Sequence, residues 1–320
     1  MIVADHHLNL LADIGGTNAR FALFSVDKGI HKEEILPCKE FPSIESAVEC
    51  YCRKTQASPL RASIAIATAV VGDFIQMTNH HWGFSVNALQ HHFSWQKLVV
   101  LNDFEALAMS LPQLTAKELI PVGESMPAEP GVKAVIGPGT GLGVASLVQT
   151  SSGWQAIAGE GGHANYIVQT EREFHLLKVL QARFNGYVSC ERIVSGPGLV
   201  NAYEGLAKVD GVTVAPLTPA EITERARQGD RRCMEVIEIF LRALASAAAN
   251  LALTVGARGG VYIGGGIVPR LGDLFDAGVF RHTFENKGRF SNYLRTVPVW
   301  IVDANNPAFV GAAYALRHCK

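Results

Sequence analysis

Four consecutive apolar residues, Leu98 to Leu101, end abruptly in an amide and a carboxylate, Asn102 and Asp103. A run of that length and composition reads as a buried strand. Phe104 to Ser110 then reads as the opening of a helix, with Asn102 or Asp103 near its N-cap. In open α/β sheets, ligands bind at the carboxyl ends of strands. A carboxylate delivered there by a rigid strand is well placed to accept a proton. It can equally serve as a helix cap, since Asp is among the best N-cap residues.

The rest of the composition narrows the class of protein. The chain has 320 residues, room for two domains. Hydrophobic residues make up 48% and charged residues 18%, which supports a large core and argues against disorder. The 28 basic and 29 acidic side chains leave a net charge of -1. No basic stripe is visible, so a nucleic-acid partner is not expected. No uninterrupted apolar run reaches membrane-spanning length, and no membrane partner is expected. Met1 to His7 carries no signal-peptide pattern, so a cytoplasmic location is expected. Cys50 and Cys52 have no second cysteine pair to complete a zinc site, and free thiols are expected. The neighbouring histidines His6-His7, His80-His81 and His91-His92 point different ways on a helix or strand and make poor metal pairs.

Leu8 to Ile14 and Ala19 to Val26 read as two strands joined at Gly15-Gly16-Thr17-Asn18. Glycines let backbone N–H groups approach a ligand, so this turn is either a phosphate cradle or an ordinary hairpin. Neither the Walker A pattern nor the dinucleotide fingerprint is present. Ile44 to Lys54 has helical spacing. Ala62 to Val71 reads as a strand turned at Gly72-Asp73, with Phe74 to Met77 as its short partner. Thr78-Asn79-His80-His81-Trp82 is a polar cluster, either a loop or a site for a polyhydroxylated ligand. Leu89 to Phe93 reads as a short helix. Leu111 to Pro130 holds several prolines and reads as the way out of the first domain.

The second half repeats the opening unit. Ala134-Val135-Ile136 is a strand, Gly137 to Gly143 is glycine-rich, and Val144 to Val148 is a strand again. Two such units suggest related lobes facing a cleft, each with its own cradle. Gly159-Glu160-Gly161-Gly162-His163 places a carboxylate between glycines, where it can accept hydrogen bonds from hydroxyls. Glu171 to Phe184 is helical, and Ser195 with Pro197 starts another helix. Thr218 and Glu221 form a capping box. Cys233 to Val255 reads as a buried helix, too interrupted by charge to span a membrane. Gly259 to Ile263 is a buried strand running into Gly264-Gly265-Gly266, a side-chain-free surface on which a base or ribose can lie. Phe280 to Phe290 reads as a mobile arm or a subunit contact. Val297 to Val302 is a last strand and Pro307 to Arg317 a last helix, with Gly311-Ala312-Ala313 allowing close packing.

Together these pieces resemble the sugar-kinase, actin and heat-shock chaperone superfamily. Asp13-Ile14-Gly15-Gly16-Thr17 resembles its first phosphate motif, Gly137 to Gly143 its second, and Gly264-Gly265-Gly266 its adenosine motif. More narrowly, the chain resembles the bacterial ATP-dependent glucokinase family from about Leu10 to about Leu316. The matching strings run from Asp13 to Arg20, Asn102 to Phe104, Gly139 to Ala145, Gly159 to His163, Glu191 to Leu199, Gly264 to Arg270 and Lys287 to Phe290. The resemblance implies a two-lobed actin-like (ribonuclease H-like) α/β fold with a cleft between a small and a large domain. The small domain would hold residues 1–112 and 304–320, the large one 113–303. It implies transfer of the ATP γ-phosphoryl group to the 6-hydroxyl of glucose, with Asp103 as base. Asn79, Asn102, Glu160, His163 and Glu191 would hold the other hydroxyls. Ala12, Asp13, Ile14, Gly15, Gly16 and Thr17, with Gly137, Gly139, Thr140 and Gly141, would surround the ATP phosphates. Gly264, Gly265 and Gly266 would carry the adenosine. Asp13 would sit near Mg2+ through water, and the family is homodimeric.

Thr68-Ala69-Val70 departs from the family's pattern, which often has proline there, and puts the shape of that loop in question. The competing functions are a kinase for another hexose, a non-catalytic sugar sensor on the same fold, and a chaperone-like or filament-forming ATPase.

Overall fold

The computed structural model describes residues 8–78, 80–124 and 127–318. The chain divides into two compact units, Met1–Leu114 with Gln149–Ala158 and Ala304–Lys320, and Thr115–Val148 with Gly159–Asp303. The division expected from the sequence kept 149–158 with the rest of 113–303; the contacts group this segment with the first unit instead.

The first unit is built on β1 (Asn9–Ile14) and β2 (Asn18–Ser25), an antiparallel hairpin closed by the Gly15-Gly16-Thr17 turn. β3 (Gly29–Pro37) adds to β2. α1 (Ile44–Thr55) starts where Ser43 accepts a hydrogen bond from the Ser46 amide. β4 (Arg61–Ile66) then runs parallel to β1. This strand stops at Ile66, short of the expected Val71, because the Thr68 amide donates to the Ile66 carbonyl at 2.8 Å and turns the chain. β5 (Phe74–Gln76) pairs with β6 (Gly83–Ser85) rather than with β4, correcting the expected partnership. α2 (Val86–His92), β7 (Lys97–Asn102) and α3 (Asp103–Ser110) complete the series. The sheet order is β3-β2-β1-β4-β7. β7 is therefore an edge strand, and only Leu101 in it is buried. The expectation of a fully buried strand failed because an edge strand is covered on one side only.

The alternation of β1 sorts its side chains between two faces. Leu10, Ala12 and Ile14 pack with Ile44, Val48 and Tyr51 around α1. Leu11 faces the other way, against Ala22 and against Phe309, Ala312 and Ala313 of the C-terminal helix, Pro307–His318. That helix also crosses α3 at Gly311. A Cβ there would lie 1.7 Å from the Ala106 carbonyl oxygen, so the crossing tolerates no side chain.

The sheet of the second unit is formed by β8 (Leu119–Pro121), β9 (Lys133–Pro138), β10 (Leu142–Thr150), β11 (Gly153–Gly159), β12 (Val261–Ile263) and β13 (Val299–Val302), with nearly all of β11 and the end of β10 in the segment grouped with the first unit. Their order is β11-β10-β9-β12-β13-β8. β9 and β10 form an antiparallel hairpin, while β12 runs parallel to both β9 and β13. The first five positions repeat the order of the first sheet, so the echo of strand, glycine turn and strand extends to the whole sheet. β8 and β11 were not foreseen.

Helices α4 (Glu171–Arg183), α5 (Gly196–Val209), α6 (Pro219–Arg227), α7 (Arg231–Val255), α8 (Ile267–Leu271) and α9 (Ala277–Glu285) belong to this unit. α7 starts at Asp230, whose carboxylate accepts from the Cys233 amide at 3.0 Å. It is long and apolar enough to cross a membrane by length and composition alone, yet 67% of that window is buried inside the protein. Small residues such as Ala245, Ala248, Ala249 and Ala252 let its neighbours approach. Phe280 and Phe284, four residues apart on one face of α9, are wholly buried in the same core. That contradicts a mobile arm over this part of 280–290; of the segment's three phenylalanines, only Phe290 is exposed.

Replacing Gly311 with Val is expected to separate α3 from the C-terminal helix. The expected cost is at least about 1–3 kcal/mol, the usual range for overpacking. A urea denaturation midpoint equal to that of the unaltered protein would contradict the tight crossing.

Candidate active site

Parallel strands in register bring their carboxyl ends together. Ile14 of β1 lies beside Ile66 of β4, and Ile66 beside Asn102 of β7. The residues that leave the sheet next therefore emerge in a row: Gly15, Ala67 and Asp103. With strands about 4.8 Å apart, the ends of β1 and β7 lie roughly 10 Å from each other. The Ala67 amide donates to the Ile14 carbonyl at 2.9 Å, which ties the first two exits together.

Asn102 is the N-cap of α3, which resolves the choice between it and Asp103. Its Oδ1 accepts from the Phe104 amide at 2.9 Å, and its own amide donates to Glu105 Oε2 at 2.9 Å. This is a capping box. Its Nδ2 donates to the Thr68 carbonyl at 3.1 Å. Thr68 is held in turn by Thr78, hydroxyl to hydroxyl at 3.0 Å. The position that departs from the family pattern thus anchors the amide beside Asp103. Asn102 keeps one donor hydrogen and one lone pair beyond these bonds. Asp103 is the first residue of α3, half-buried, with Oδ1 accepting from the Phe104 amide at 3.0 Å. Asn79, expected near the sugar, lies outside the described residues.

The first glycine turn is closed by the Gly15 amide donating to the Asn18 carbonyl at 3.0 Å. It is backed by Cys38, whose amide donates to the Thr17 carbonyl at 2.9 Å. Asp13 sits two residues before Gly15, on β1, and meets Arg20 of β2 directly across the hairpin at 2.9 Å. Burial pushes the Asp13 carboxyl above its ordinary range, and the Arg20 guanidinium pulls it part of the way back.

In the second unit, the turn after β9 is closed by the Gly139 amide donating to the Gly141 carbonyl at 2.8 Å. The Gly139 carbonyl accepts from the Gly196 amide at the start of α5, 2.9 Å away. The Gly264 amide donates to the Ile136 carbonyl at 2.9 Å, and a Cβ on Gly265 would lie 2.4 Å from the Pro138 carbonyl oxygen. Gly265 has φ +78°, which also favours glycine. The second glycine turn and the three-glycine loop are therefore packed backbone to backbone.

Glu160 precedes and His163 ends a short 3₁₀ turn, Gly161–His163, with His163 Nε2 3.8 Å from Glu160 Oε2. Both side chains are well exposed, at 60% and 66% of their free area for His163 and Glu160. The loop is pressed on β10: a Cβ on Gly162 would lie 2.0 Å from the Leu142 carbonyl oxygen. Glu191, half-buried, places Oε2 2.9 Å from the Leu142 amide and accepts its hydrogen bond. Glu160, His163 and Glu191 thus gather about the first residue of β10.

In each unit the glycine turn offers backbone N–H groups that suit a phosphate, and in the second unit the three-glycine loop adds a bare surface. Among the described residues no group of three or more His, Cys, Asp or Glu side chains can hold a metal. A single carboxylate such as Asp13 still fits magnesium, which keeps several waters and takes one or two carboxylates beside substrate phosphates.

The glucokinase family model matches residues 10–319. The chain belongs to the glucokinase family. It is 46% identical to a glucokinase of Neisseria meningitidis serogroup C over 96% of this chain and 94% of that one. It is 47% identical to a glucokinase of Chromobacterium violaceum over 95% of this chain and 88% of that one. Among solved structures, a glucokinase from an Antarctic psychrotroph superposes with a TM-score of 0.86 at 36% identity, covering 97% of this chain and 99% of the other. The duplicated sheets are those of the actin-like, ribonuclease H-like fold shared by these sugar kinases.

Three residues of this family member escaped the reading of the sequence. Arg20 closes the matching string that starts at Asp13, and period-two pairing across a short hairpin places the two opposite each other. Glu105 stands three residues after Asn102, the spacing of a capping box. Thr68 stands out in the sequence only as a departure from the family's pattern, because the main-chain carbonyl it contributes leaves no signal of its own.

Asn102→Ala removes the cap and the tie to Thr68 together. The expected loss is about 0.5–2 kcal/mol, as for other N-cap deletions. Urea unfolding checks it; an unchanged midpoint would show that neither bond supports α3.

Proposed function

We propose that this chain transfers the γ-phosphoryl group of ATP to the 6-hydroxyl of D-glucose, releasing glucose 6-phosphate and ADP, with Asp103 as the general base. The observation that carries this reading is the capping of α3 by Asn102, which leaves the Asp103 carboxylate at a strand's carboxyl end in a glucokinase-family chain. The reading extends to a cytoplasmic homodimer acting in glycolysis, as the family resemblance implies.

Phosphoryl transfer depends on positioning and charge stabilisation more than on covalent chemistry. The 6-hydroxyl proton passes to the Asp103 carboxylate as that oxygen bonds to the γ-phosphorus. The bond from phosphorus to the β,γ-bridging oxygen breaks, and ADP leaves with the electron pair. General-base assistance of this kind is worth roughly 10²–10⁴-fold. Glu160, His163 and Glu191 read the remaining hydroxyls, with Asn102 contributing its spare donor and with Asn79 as a further contact. An inverted or missing hydroxyl would leave one of these polar groups unpaired, which is costly. Residues Ala12 to Thr17 and Gly137 to Gly141 receive the phosphates on backbone N–H groups. Gly264, Gly265 and Gly266 receive the adenosine. Magnesium, when bound, would neutralise phosphate charge, with Asp13 holding it through water.

ADP release from Mg-ATP is the direct test, run with glucose, without sugar, and with fructose, mannose and N-acetylglucosamine. Strong stimulation by glucose is expected. Turnover indifferent to every sugar would contradict the reading, and stimulation only by another hexose would change the substrate. Arg20→Met provides a second check. Arg20 lowers the Asp13 pKa, so its removal raises that pKa and protonates the carboxylate at higher pH. The acid limb of kcat/KM is expected to move to higher pH. An unmoved limb would contradict a working carboxylate at Asp13.

A further inference from the structure

Glu191 makes a contact that sugar recognition does not require. Its Oε2 accepts the Leu142 amide at 2.9 Å, immediately after the second glycine turn. A Cβ on Gly141 would lie 2.5 Å from the same oxygen, so the carboxylate reaches the turn only because residue 141 is glycine. Gly141 does not have a positive φ, so space and not backbone conformation is what its glycine supplies.

The backbone around Glu191 is fastened to the same turn. The Ser195 hydroxyl donates to the Glu191 carbonyl at 2.7 Å and accepts from the Gly198 amide at 2.9 Å, starting α5. The next amide, Gly196, donates to the Gly139 carbonyl at 2.9 Å. On the other side, the Cys190 amide donates to the Ala164 carbonyl at 2.7 Å, joining this segment to the loop of Glu160 and His163. Residues 139–142, 160–164 and 190–196 therefore form one hydrogen-bonded frame with Glu191 near its centre.

We propose that Glu191 is a positioning residue that sets the second glycine turn for the nucleotide and couples nucleotide affinity to sugar occupancy. The proposal rests on the glucose-kinase reading, in which the same carboxylate faces the sugar. A sugar hydroxyl that donates to Glu191 fixes the side chain, and the fixed side chain holds the Leu142 amide and the turn before it. Coupling of this kind is reciprocal: whatever glucose does to nucleotide affinity, nucleotide does to glucose affinity.

The test is calorimetric titration of the full-length protein with Mg-AMPPNP, with and without saturating glucose, for the unaltered chain, Glu191→Gln, Glu191→Ala and Gly141→Ala. The glutamine amide oxygen can still accept from Leu142, whereas alanine cannot, and a Cβ at residue 141 displaces the carboxylate. Without sugar, Glu191→Ala and Gly141→Ala are expected to bind Mg-AMPPNP roughly tenfold more weakly, equivalent to about 1.4 kcal/mol. Glu191→Gln is expected to bind it about as the unaltered chain does. The strengthening of nucleotide binding by glucose is expected to shrink towards none in Glu191→Ala. Sugar-free nucleotide affinity unchanged in Glu191→Ala would overturn the positioning role. If glucose binding is then weakened in both Glu191 variants, the glucose reading survives that failure. If neither variant changes glucose binding, Glu191 does not face the sugar, and the coupling is overturned together with that part of the glucose reading.

Discussion

The side chain of Asn102 ties together two segments of the first unit that are far apart in sequence. Its oxygen caps α3, and its nitrogen holds the carbonyl of Thr68 at the end of β4. The amide of the same residue is taken by Glu105. Because the neutral residue does the capping, the charged one beside it enters the helix as its first residue. An acidic group in the first turn of a helix is favoured by the helix dipole. The C-terminal helix then fixes α3 from behind through the glycine contact at Gly311. The proposed base is thereby held by three elements that are distant in sequence.

The second unit solves a similar problem with backbone rather than with an amide side chain. Its sheet repeats the order of the first, and its glycine turn occupies the equivalent place after the strand corresponding to β1. What differs is the support. The first turn has an ion pair across its hairpin, Asp13 to Arg20. The second has Glu191 on Leu142 and the three-glycine loop against Pro138. One sheet order, used twice, thus carries two glycine turns with different supports.

Much of this was legible in the chain. The hairpins about Gly15 and Gly139, the caps at Ser195 and Thr218, and the helix from 231 to 255 announce themselves through glycine placement, cap chemistry and apolar periodicity. What escaped depends on contacts between segments far apart. The early end of β4 follows from a local turn at Thr68, where the composition still favours a strand. The pairing of β5 with β6 is too short to leave a pattern. The edge position of β7 is a property of strand order, which its apolar sequence does not encode. The burial of Phe280 and Phe284 shows that an apolar face reads alike whether the chain itself covers it or a partner does. At the candidate site, motif residues were legible, but the groups that hold them, Thr68, Glu105 and Arg20, act through a carbonyl, a cap and a cross-strand partner.

The central claim is that the Asp103 carboxylate takes the proton of the attacking hydroxyl. The most direct measurement is steady-state turnover of Asp103→Asn beside calorimetric glucose binding by the same variant. Asparagine preserves size and hydrogen-bonding reach but cannot accept the proton. The expected result is a fall in kcat of at least about 10²-fold, with glucose still bound and the fold intact. Turnover near that of the unaltered chain would contradict the assignment of Asp103 as base.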